Sequence, residues 1–563
     1  MAAHRASASG LSRTLCIAIV CLLLTTALAG PAFAATGSFE TTVGNDTVTS
    51  GQGHANSQDF GIDPTDIDDT IETTDGTVEV VVRLKEATVP AAVSAAETEQ
   101  QLVDHAEDTQ EPLLEYAADT RGISTESAFW LTNAVLLEVD IDRVSLEAVQ
   151  EIEGVERVHE NFELTVPGAP SATETKRVQP ESADGTETDN SDHRTTQGIK
   201  QLNAPDVWDT YETRGAGVRV AVLDTGIDAS HPDLDLHTED SSDPTYPGGW
   251  AAFNETGDRI EGATPYDSGT HGTHVSGTVA GGAASGTQIG VAPDVELLHG
   301  LVLNETSGSF AQIVAGMEWA LEEDADVISM SFGATGTHEA LIAPVRNAVD
   351  SGVVVVAAVG NEGAKTSGSP ANVYDALSVG AVNGSGAVAP FSGGQQLNRT
   401  DWRNAPESWP SSYAVPNVVS HGVGVTSAVP DGGYRSMPGT SMATPHVSGT
   451  IALMLSIVPD ATPEEITTTL YETAWTPSEV AQATETSTMD IRYGHGIVDA
   501  SAATDALVET RGGTQITADE SVETTTDTRG SPPFSGLVAG IVSTIVVAVS
   551  FSALLVARSL ARD

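Results

Sequence analysis

The stretch GTSMATPH, residues 439–446, lies between a glycine-rich loop at 431–434 and an apolar run at 447–455 with helical length and spacing. This position predicts that Ser441 lies at a helix N-terminus, where unpaired N–H groups and the helix dipole favour an anion forming beside it. Such an environment suits a serine that attacks a carbonyl group. The same pattern is also typical of a helix N-cap, so the rest of the chain has to decide between the two interpretations.

Residues 197–508 alternate near-continuous apolar runs with helical patterns. Strands that are buried on both faces have this composition, and their alternation with helices predicts an α/β domain with a doubly wound, mostly parallel sheet. The predicted strands are Val218–Leu223, Val295–Leu303, Asp326–Met330, Val353–Ala358, Leu377–Val382 and Gly422–Ser427. The predicted helices are 271–282, 309–323, 337–350, 441–457 and 463–474.

Two further polar residues lie in glycine-rich contexts at the ends of these elements. Asp224 ends the first predicted strand in DTGID, residues 224–228, and His271 begins a predicted helix in HGTHVSG, residues 271–277. A parallel sheet presents its ligand crevice at the carboxyl ends of its strands, so these residues are expected near Ser441. The chain order Asp, His, Ser separates this arrangement from the His-Asp-Ser and Ser-Asp-His orders of other serine hydrolases.

These three motifs, separated by 47 and 170 residues, together resemble the catalytic motifs of the subtilisin-like serine proteases, the subtilase family. The resemblance implies that Ser441 is the nucleophile and that His271 takes and returns its proton. Asp224 would hold the imidazole tautomer and stabilise the imidazolium. By the same resemblance, Asn361 and the backbone N–H of Ser441 would form the oxyanion hole. The alternative for Asn361 is a turn residue, since Asn-Glu-Gly is favourable turn chemistry.

The resemblance also implies a substrate cleft with two sides. One side would form the pocket for the side chain that precedes the scissile bond, and it comprises Ser331, Phe332, Gly333, Ala358 and Gly360. The other side would be an edge that pairs with an extended substrate, and it comprises Ser307 and Gly308. Protein or peptide substrates are therefore expected.

Two features depart from the family's pattern. Asp233 resembles a calcium ligand, but the partner loop at 281–288 has Ala284 where the family has an asparagine. One oxygen is thereby lost from a site that needs about six to eight, so calcium is expected only as a possible cofactor, and no organic cofactor is expected. The second departure is an insertion at 393–412, for which a surface loop and a partner contact both stay open.

The part of the chain before the main domain divides into four segments. Residues 1–34 have the pattern of a secretory signal peptide, and 35–76 are polar and predict a flexible leader. Residues 77–167 predict a β-α-β-α-β order with a further strand near Phe129, which suits a small ferredoxin-like α+β domain. The resemblance implies a propeptide that assists folding and inhibits the cleft, with a stable extra domain as the alternative. Residues 168–196 form a linker.

The C-terminal part predicts a membrane anchor. Residues 509–533 form a polar stalk, 534–557 are uncharged over transmembrane length, and 558–563 carry the arginines of a cytoplasmic tail. The catalytic domain would then lie on the extracellular face of the membrane. Residues 532–534, Pro-Pro-Phe, also resemble an archaeal sorting tail, in which case the C-terminus would be processed.

Composition limits the class of partner. The chain of 563 residues has 24 basic and 79 acidic residues, a net charge of −55, and such a surface repels nucleic acid. A charge of this size suits solubility in concentrated salt, where screening acts over about 3 Å at 1 M, so we hypothesise the protein of an extreme halophile, with an acidic secreted protein as the alternative. The resemblance implies the halophilic archaeal type of the family. Both cysteines, Cys16 and Cys21, lie in the predicted signal peptide, so no disulfide is expected in the mature chain.

The sequence thus predicts a secreted, membrane-anchored serine endopeptidase that is made as a self-processing zymogen. The alternative is a catalytically inactive surface adhesin on the same scaffold. Labelling of Ser441 by a fluorophosphonate probe would distinguish the two, because only an activated serine reacts.

Overall fold

The structure, a computed structural model, describes residues 67–68, 71, 76–90, 93–168, 194–478 and 490–519. The predicted signal peptide, the predicted membrane segment at 534–557 and the predicted cytoplasmic tail lie outside these residues. Among the helices within the described ranges, none is long and apolar enough to cross a membrane.

Residues 77–167 form an antiparallel sheet of four strands with two helices, in the strand order β2-β3-β1-β4. The order along the chain is β-α-β-β-α-β, the ferredoxin-like arrangement, as the sequence predicted. The elements are β1 Thr77–Leu84, α1 Ala95–Asp119, β2 Ile123–Phe129, β3 Ala134–Asp140, α2 Leu146–Gln150, β4 Val155–Glu160 and β5 Glu163–Thr165. The last of these, β5, leaves this sheet and pairs elsewhere.

The following domain contains the remaining strands and helices. The strands are β6 Arg219–Asp224, β7 Trp250–Ala252, β8 Glu296–Leu301, β9 Ser307–Ser309, β10 Val327–Met330, β11 Ala334–Thr335, β12 Val354–Ala358, β13 Gly368–Ser369, β14 Leu377–Val382, β15 Gln395–Asn398, β16 Ser412–Val415, β17 Val418–His421, β18 Val425–Val429 and β19 Gly433–Met437. The helices are α3 Gln197–Gln201, α4 Ala204–Tyr211, α5 His271–Ala280, α6 Phe310–Glu322, α7 Ile342–Asp350, α8 Thr440–Ile457, α9 Pro463–Thr473 and α10 Ala500–Asp519. Short 3₁₀ turns occur at Glu339–Leu341 and Arg399–Asp401.

Seven of these strands form one parallel sheet in the order β17-β14-β12-β10-β6-β8-β7. Side chains of β6 alternate between two apolar cores: Val220 and Val222 pack on the side of α5 and α8, and Ala221 and Leu223 on the side of α6 and α7. Helices therefore cover both faces, and the α/β fold with a parallel, doubly wound sheet is confirmed. The carboxyl ends of β6 and β12 meet at one edge, where the site lies.

The predicted strand Gly422–Ser427 is wrong. The sheet strand is β17, which ends at His421, and β18 instead forms an antiparallel hairpin with β19. The ladder ends at Gly422, whose carbonyl accepts the N–H of Gly439 at 2.8 Å. A Cβ at Gly422 would lie only 2.6 Å from the Gly439 carbonyl oxygen, so this approach requires glycine. The apolar composition continues across this break, so the pattern did not reveal it. Helix α10 also runs to Asp519, into the segment predicted as a stalk.

The 393–412 insertion has a small core of its own. Strands β15 and β16 pair antiparallel, and the loop between them buries Trp402 and Trp409, each 3% exposed. Trp402 Nε1 donates to the Tyr413 hydroxyl at 2.9 Å, and Trp409 Nε1 donates to Asp375 Oδ2 at 2.9 Å. The insertion is therefore an ordered hairpin that is packed onto the domain.

Candidate active site

The first pair of the predicted triad is in contact. Asp224 is the last residue of β6 and is fully buried, and His271 is the first residue of α5. His271 Nδ1 lies 2.8 and 3.0 Å from the two carboxylate oxygens of Asp224. Burial lowers the pKa of His271, but the charge and hydrogen bond of Asp224 outweigh burial, and the pKa is raised. This contact orients the ring so that Nε2 is the free nitrogen.

Ser441 is the second residue of α8, as its predicted place at a helix N-terminus requires. Its hydroxyl donates to the Ser331 carbonyl at 2.9 Å, and the Ser331 hydroxyl donates in return to the Ser441 carbonyl at 2.9 Å. His271 Nε2 is buried with no hydrogen-bond partner among the described residues. In the structure the Ser441 hydroxyl therefore donates to the Ser331 carbonyl and not to the imidazole.

Asn361 follows β12 and is held by the residue before the serine. Its Oδ1 accepts the backbone N–H of Thr440 at 2.9 Å and the Thr440 hydroxyl at 3.0 Å. These two bonds fix the orientation of the side-chain amide, and its Nδ2 is left as the donor towards the segment 163–167. Nδ2 lies 3.4 Å from the carbonyl oxygen of Pro167, at the place where an oxyanion donor would act.

The segment 163–167 occupies the cleft as an extended strand. β5 pairs antiparallel with β9, with Leu164 opposite Gly308 and Thr165 opposite Ser307. On its other side, Thr165 exchanges two hydrogen bonds with Gly333, at 3.0 and 2.9 Å. The predicted substrate-binding residues Ser307, Gly308 and Gly333 are thereby brought together around one chain, which is the β-addition mode expected for a peptide.

The register of this strand identifies one peptide bond. Two residues beyond the pair of Thr165 and Gly333, an antiparallel ladder brings Pro167 opposite Ser331. Pro167 has no N–H to give to the Ser331 carbonyl, and the hydroxyl of Ser441 donates to that carbonyl instead. Since the Pro167 carbonyl faces Asn361, the bond presented to Ser441 is the one between Pro167 and Gly168.

The other predicted pocket residues have different surroundings. Phe332 is fully buried in the apolar core that also holds Leu164, and Ala358 is the buried last residue of β12. Gly360 has a positive φ of 112°, which favours glycine, one residue before Asn361. Among the hydrogen bonds of the described residues, none joins Ala358 or Gly360 to the segment 163–167, so their roles in the pocket stay predictions.

Sequence reasoning missed two supports of the site. One is Thr440, which orients Asn361. The position of Thr440 beside Ser441 at the start of the helix could have indicated this role. Asp267 caps α5 by accepting the N–H and hydroxyl of Thr273 at 2.9 and 2.6 Å. Its other oxygen accepts the Thr225 hydroxyl at 2.7 Å, which ties the loop after Asp224 to the helix that begins with His271.

The unit at 77–167 also contacts the catalytic domain at places outside the cleft. The N–H of Leu131 donates to Glu318 on α6 at 2.8 Å, and the Asn347 amide on α7 donates to the Leu131 carbonyl at 2.7 Å. Burial raises the pKa of Glu318 to about 8. A third contact is the ion pair of Arg157 with Glu339 at 2.5 Å.

The surroundings of Asp233 do not fit a calcium ion. One carboxylate oxygen accepts the backbone N–H of Ala284, and the other accepts the Tyr434 hydroxyl at 2.5 Å. A calcium site needs oxygen lone pairs directed at the ion, but here both neighbours present hydrogens to the carboxylate. Among the described residues no group of three or more His, Cys, Asp or Glu side chains could hold a metal.

The comparisons with known proteins agree with this geometry, which is that of a serine hydrolase with a peptide-binding cleft. The model of the subtilase family matches residues 215–496. The chain is 37% identical over 318 residues to subtilisin E of Bacillus subtilis (strain 168), covering 54% of this chain and 70% of that protein. It is equally identical to a subtilisin of Bacillus pumilus over 97% of that protein and 54% of this chain. An intracellular serine protease of Paenibacillus polymyxa is 36% identical over 46% of this chain and 72% of its own length.

The chain therefore belongs to the subtilase family, and it is a serine-type endopeptidase.

Proposed function

We propose that the enzyme hydrolyses peptide bonds through Ser441, His271 and Asp224, with Asn361 as an oxyanion donor, and that it is made as a self-processing zymogen. The observation that carries this proposal is the extended segment 163–167, whose last carbonyl faces Asn361 at 3.4 Å. This segment pairs with the cleft in the register of a substrate, and it belongs to the same chain.

The chemistry follows from the contacts of these side chains. When the Ser441 hydroxyl turns from Ser331 to the free Nε2 of His271, the imidazole takes its proton as the oxygen attacks the carbonyl carbon. The imidazolium that forms is stabilised by Asp224, which is fully buried beside it. The negative charge that develops on the carbonyl oxygen is stabilised by two hydrogen-bond donors, Asn361 Nδ2 and the backbone N–H of Ser441. His271 then returns the proton to the leaving amine as the C–N bond breaks, which leaves an acyl-enzyme on Ser441. A water molecule that gives its proton to His271 attacks this ester, and the proton returns to Ser441 as the acid is released.

Processing by the same site would separate residues 77–167 from the catalytic domain at the bond between Pro167 and Gly168. The test is Ser441→Ala in the full chain, followed by intact mass and N-terminal sequencing. We expect an uncut precursor, whereas the matched control Ser436→Ala on β19 should give a mature chain that starts at or after Gly168. Normal processing of Ser441→Ala would show that another protease makes the cut, and labelling of Ser441 by a fluorophosphonate would then test its catalytic role separately.

The cellular setting is proposed from the sequence. The signal-like segment 1–34 and the uncharged segment 534–557 support secretion and C-terminal anchoring at the extracellular face of the membrane. Mass analysis of the mature C-terminus would show whether the anchor is retained.

The net charge of −55 supports adaptation to concentrated salt, as expected of the halophilic archaeal type. We expect activity and fold to be lost on dilution from molar salt. An enzyme that is equally active in dilute buffer would contradict this origin.

Calcium binding at Asp233 stays a prediction that the contacts of that residue disfavour.

A further inference from the structure

The cleft continues beyond the strand pairs of β5 and β9. The carbonyl of Phe162 accepts the N–H of Phe310, the first residue of α6, at 2.8 Å. This bond extends the ladder by one residue towards the N-terminal end of the bound segment. Counting back from Pro167, whose carbonyl faces Asn361, Phe162 is the sixth residue before the bond presented to Ser441.

The ring of Phe162 lies against two rings of the catalytic domain. It stacks on His338 with ring centroids 5.0 Å apart and planes at 25°, and it packs at 5.4 Å against Phe310. We refer to Phe310 and His338 as the aromatic patch. Contacts of this kind strengthen association by about 2-fold to 13-fold beyond the effect of the area that they bury.

The alternation of a strand explains why this position faces the domain. Glu163 and Thr165 are exposed, whereas Leu164 is fully buried, and Phe162 and Val166 are partly buried. Because side chains alternate with a period of two, the second, fourth and sixth residues before the bond point the same way. A peptide that pairs with β9 and Gly333 in this register must therefore present its sixth residue to the aromatic patch.

We propose that the aromatic patch is a substrate subsite that selects peptides with an aromatic side chain six residues before the scissile bond. The inference rests on the proposed function, in that it takes the segment 162–167 as bound in the manner of a substrate. The subsite uses residues of the catalytic domain alone, since Phe310 and His338 remain when residues 77–167 are removed. Before it, the chain passes through Asn161, whose side chain accepts the N–H of Ala311 at 2.9 Å, and returns to β4.

The test uses the enzyme produced from the full chain and two synthetic peptides. Both copy residues 161–170 with alanine in place of Pro167, and they carry either Phe or Ser at the position of Phe162. We expect kcat/KM to be about fivefold to tenfold higher for the Phe peptide, mainly through KM, since the contact lies far from the reacting atoms. In His338→Ala the ratio should fall to about twofold or less. Tyr374→Ala is the matched control and should keep the ratio, because its ring packs on Trp409 and Tyr413.

The outcomes separate the subsite from the function on which it rests. If both peptides are cut after position 167 with equal kcat/KM, or if His338→Ala keeps the full ratio, the subsite is refuted and the proposed function stands. If neither peptide is cut, or if cutting persists with Ser441→Ala enzyme, the proposed function fails, and the subsite fails with it.

Discussion

Replacing Pro167 by alanine should accelerate the cut between residues 167 and 168. In the structure the Ser331 carbonyl accepts the hydroxyl of Ser441 at 2.9 Å. The residue opposite Ser331, when the ladder is extended from Thr165 and Gly333, is a proline without an N–H. Alanine would supply that N–H to Ser331. The hydroxyl of Ser441 would then be free to turn to His271 Nε2, which has no partner among the described residues.

The size of the effect follows from one hydrogen bond. Moving the Ser441 hydroxyl away from Ser331 costs the net value of that bond, about 0.5–1.5 kcal/mol. If the N–H of alanine replaces it, the barrier falls by the same amount, and the cut should be about 2-fold to 13-fold faster. Pro167→Gly also supplies an N–H and should change the rate in the same direction.

The assay is pulse–chase labelling of producing cells, with the precursor and the mature chain separated on a gel. Gly168→Ala is the control, because a Cβ at Gly168 would meet nothing within 4 Å and the N–H of residue 167 is not involved. Its rate should equal that of the native chain. An unchanged or slower cut in both Pro167→Ala and Pro167→Gly would refute the reasoning.

Three further predictions concern other contacts. Asn361→Ala should lower kcat of the mature enzyme by about 10²–10³-fold with little change in KM, the loss known for one oxyanion donor of a subtilisin, and steady-state kinetics with equal kcat would contradict its role. Release of residues 77–167 after the cut should become more favourable as pH rises from about 5 to about 8, by up to about tenfold per pH unit. The reason is that burial raises the pKa of Glu318 to about 8, where it accepts the N–H of Leu131, so Glu318 keeps a proton while residues 77–167 are docked and gives it up when they leave. Glu318→Gln should flatten this dependence in a gel-filtration assay, and an unchanged slope would assign it to another group. Tyr434→Phe should destabilise the fold by about 1–2 kcal/mol, seen as a lower Tm, because it removes the hydroxyl that Asp233 accepts. A chelator should leave the native Tm unchanged, and a fall in Tm that Asp233→Asn abolishes would instead show calcium at this position.

The sheet was predictable because its strands are buried on both faces. Strand β14 has the predicted bounds Leu377–Val382, and β6, β8, β10 and β12 lie within a residue or two of theirs. The apolar pattern did not predict the end of β17, because the composition does not change there. The strand ends before Gly422, whose carbonyl accepts the N–H of Gly439. The pattern also missed β7, since three residues are too few to show a period.

The site was predictable only where a local motif places a side chain on an element end. Asp224, His271 and Ser441 lie where their motifs put them, at the end of β6 and the starts of α5 and α8. The contact of Ser441 with Ser331 depends on a strand that comes from far along the chain, and no motif encodes it. No motif marks Glu318, because the N–H that it accepts comes from Leu131, 187 residues earlier in the chain.

Cleavage of the bond after Pro167 would not by itself remove residues 77–167 from the cleft. Phe129, Leu131 and Leu164 share one apolar core with residues of α6 and α7, and each such side chain contributes about 1.5–3 kcal/mol by burial. None of these contacts depends on the peptide bond after Pro167, so residues 77–167 would stay in place as an inhibitor once cut. Pro167→Ala should then alter only the cut and Glu318→Gln only the release. Among the described residues the hydrogen bond of Pro167 is to Asn361 and that of Glu318 is to Leu131, so a double variant should combine the two single effects without coupling.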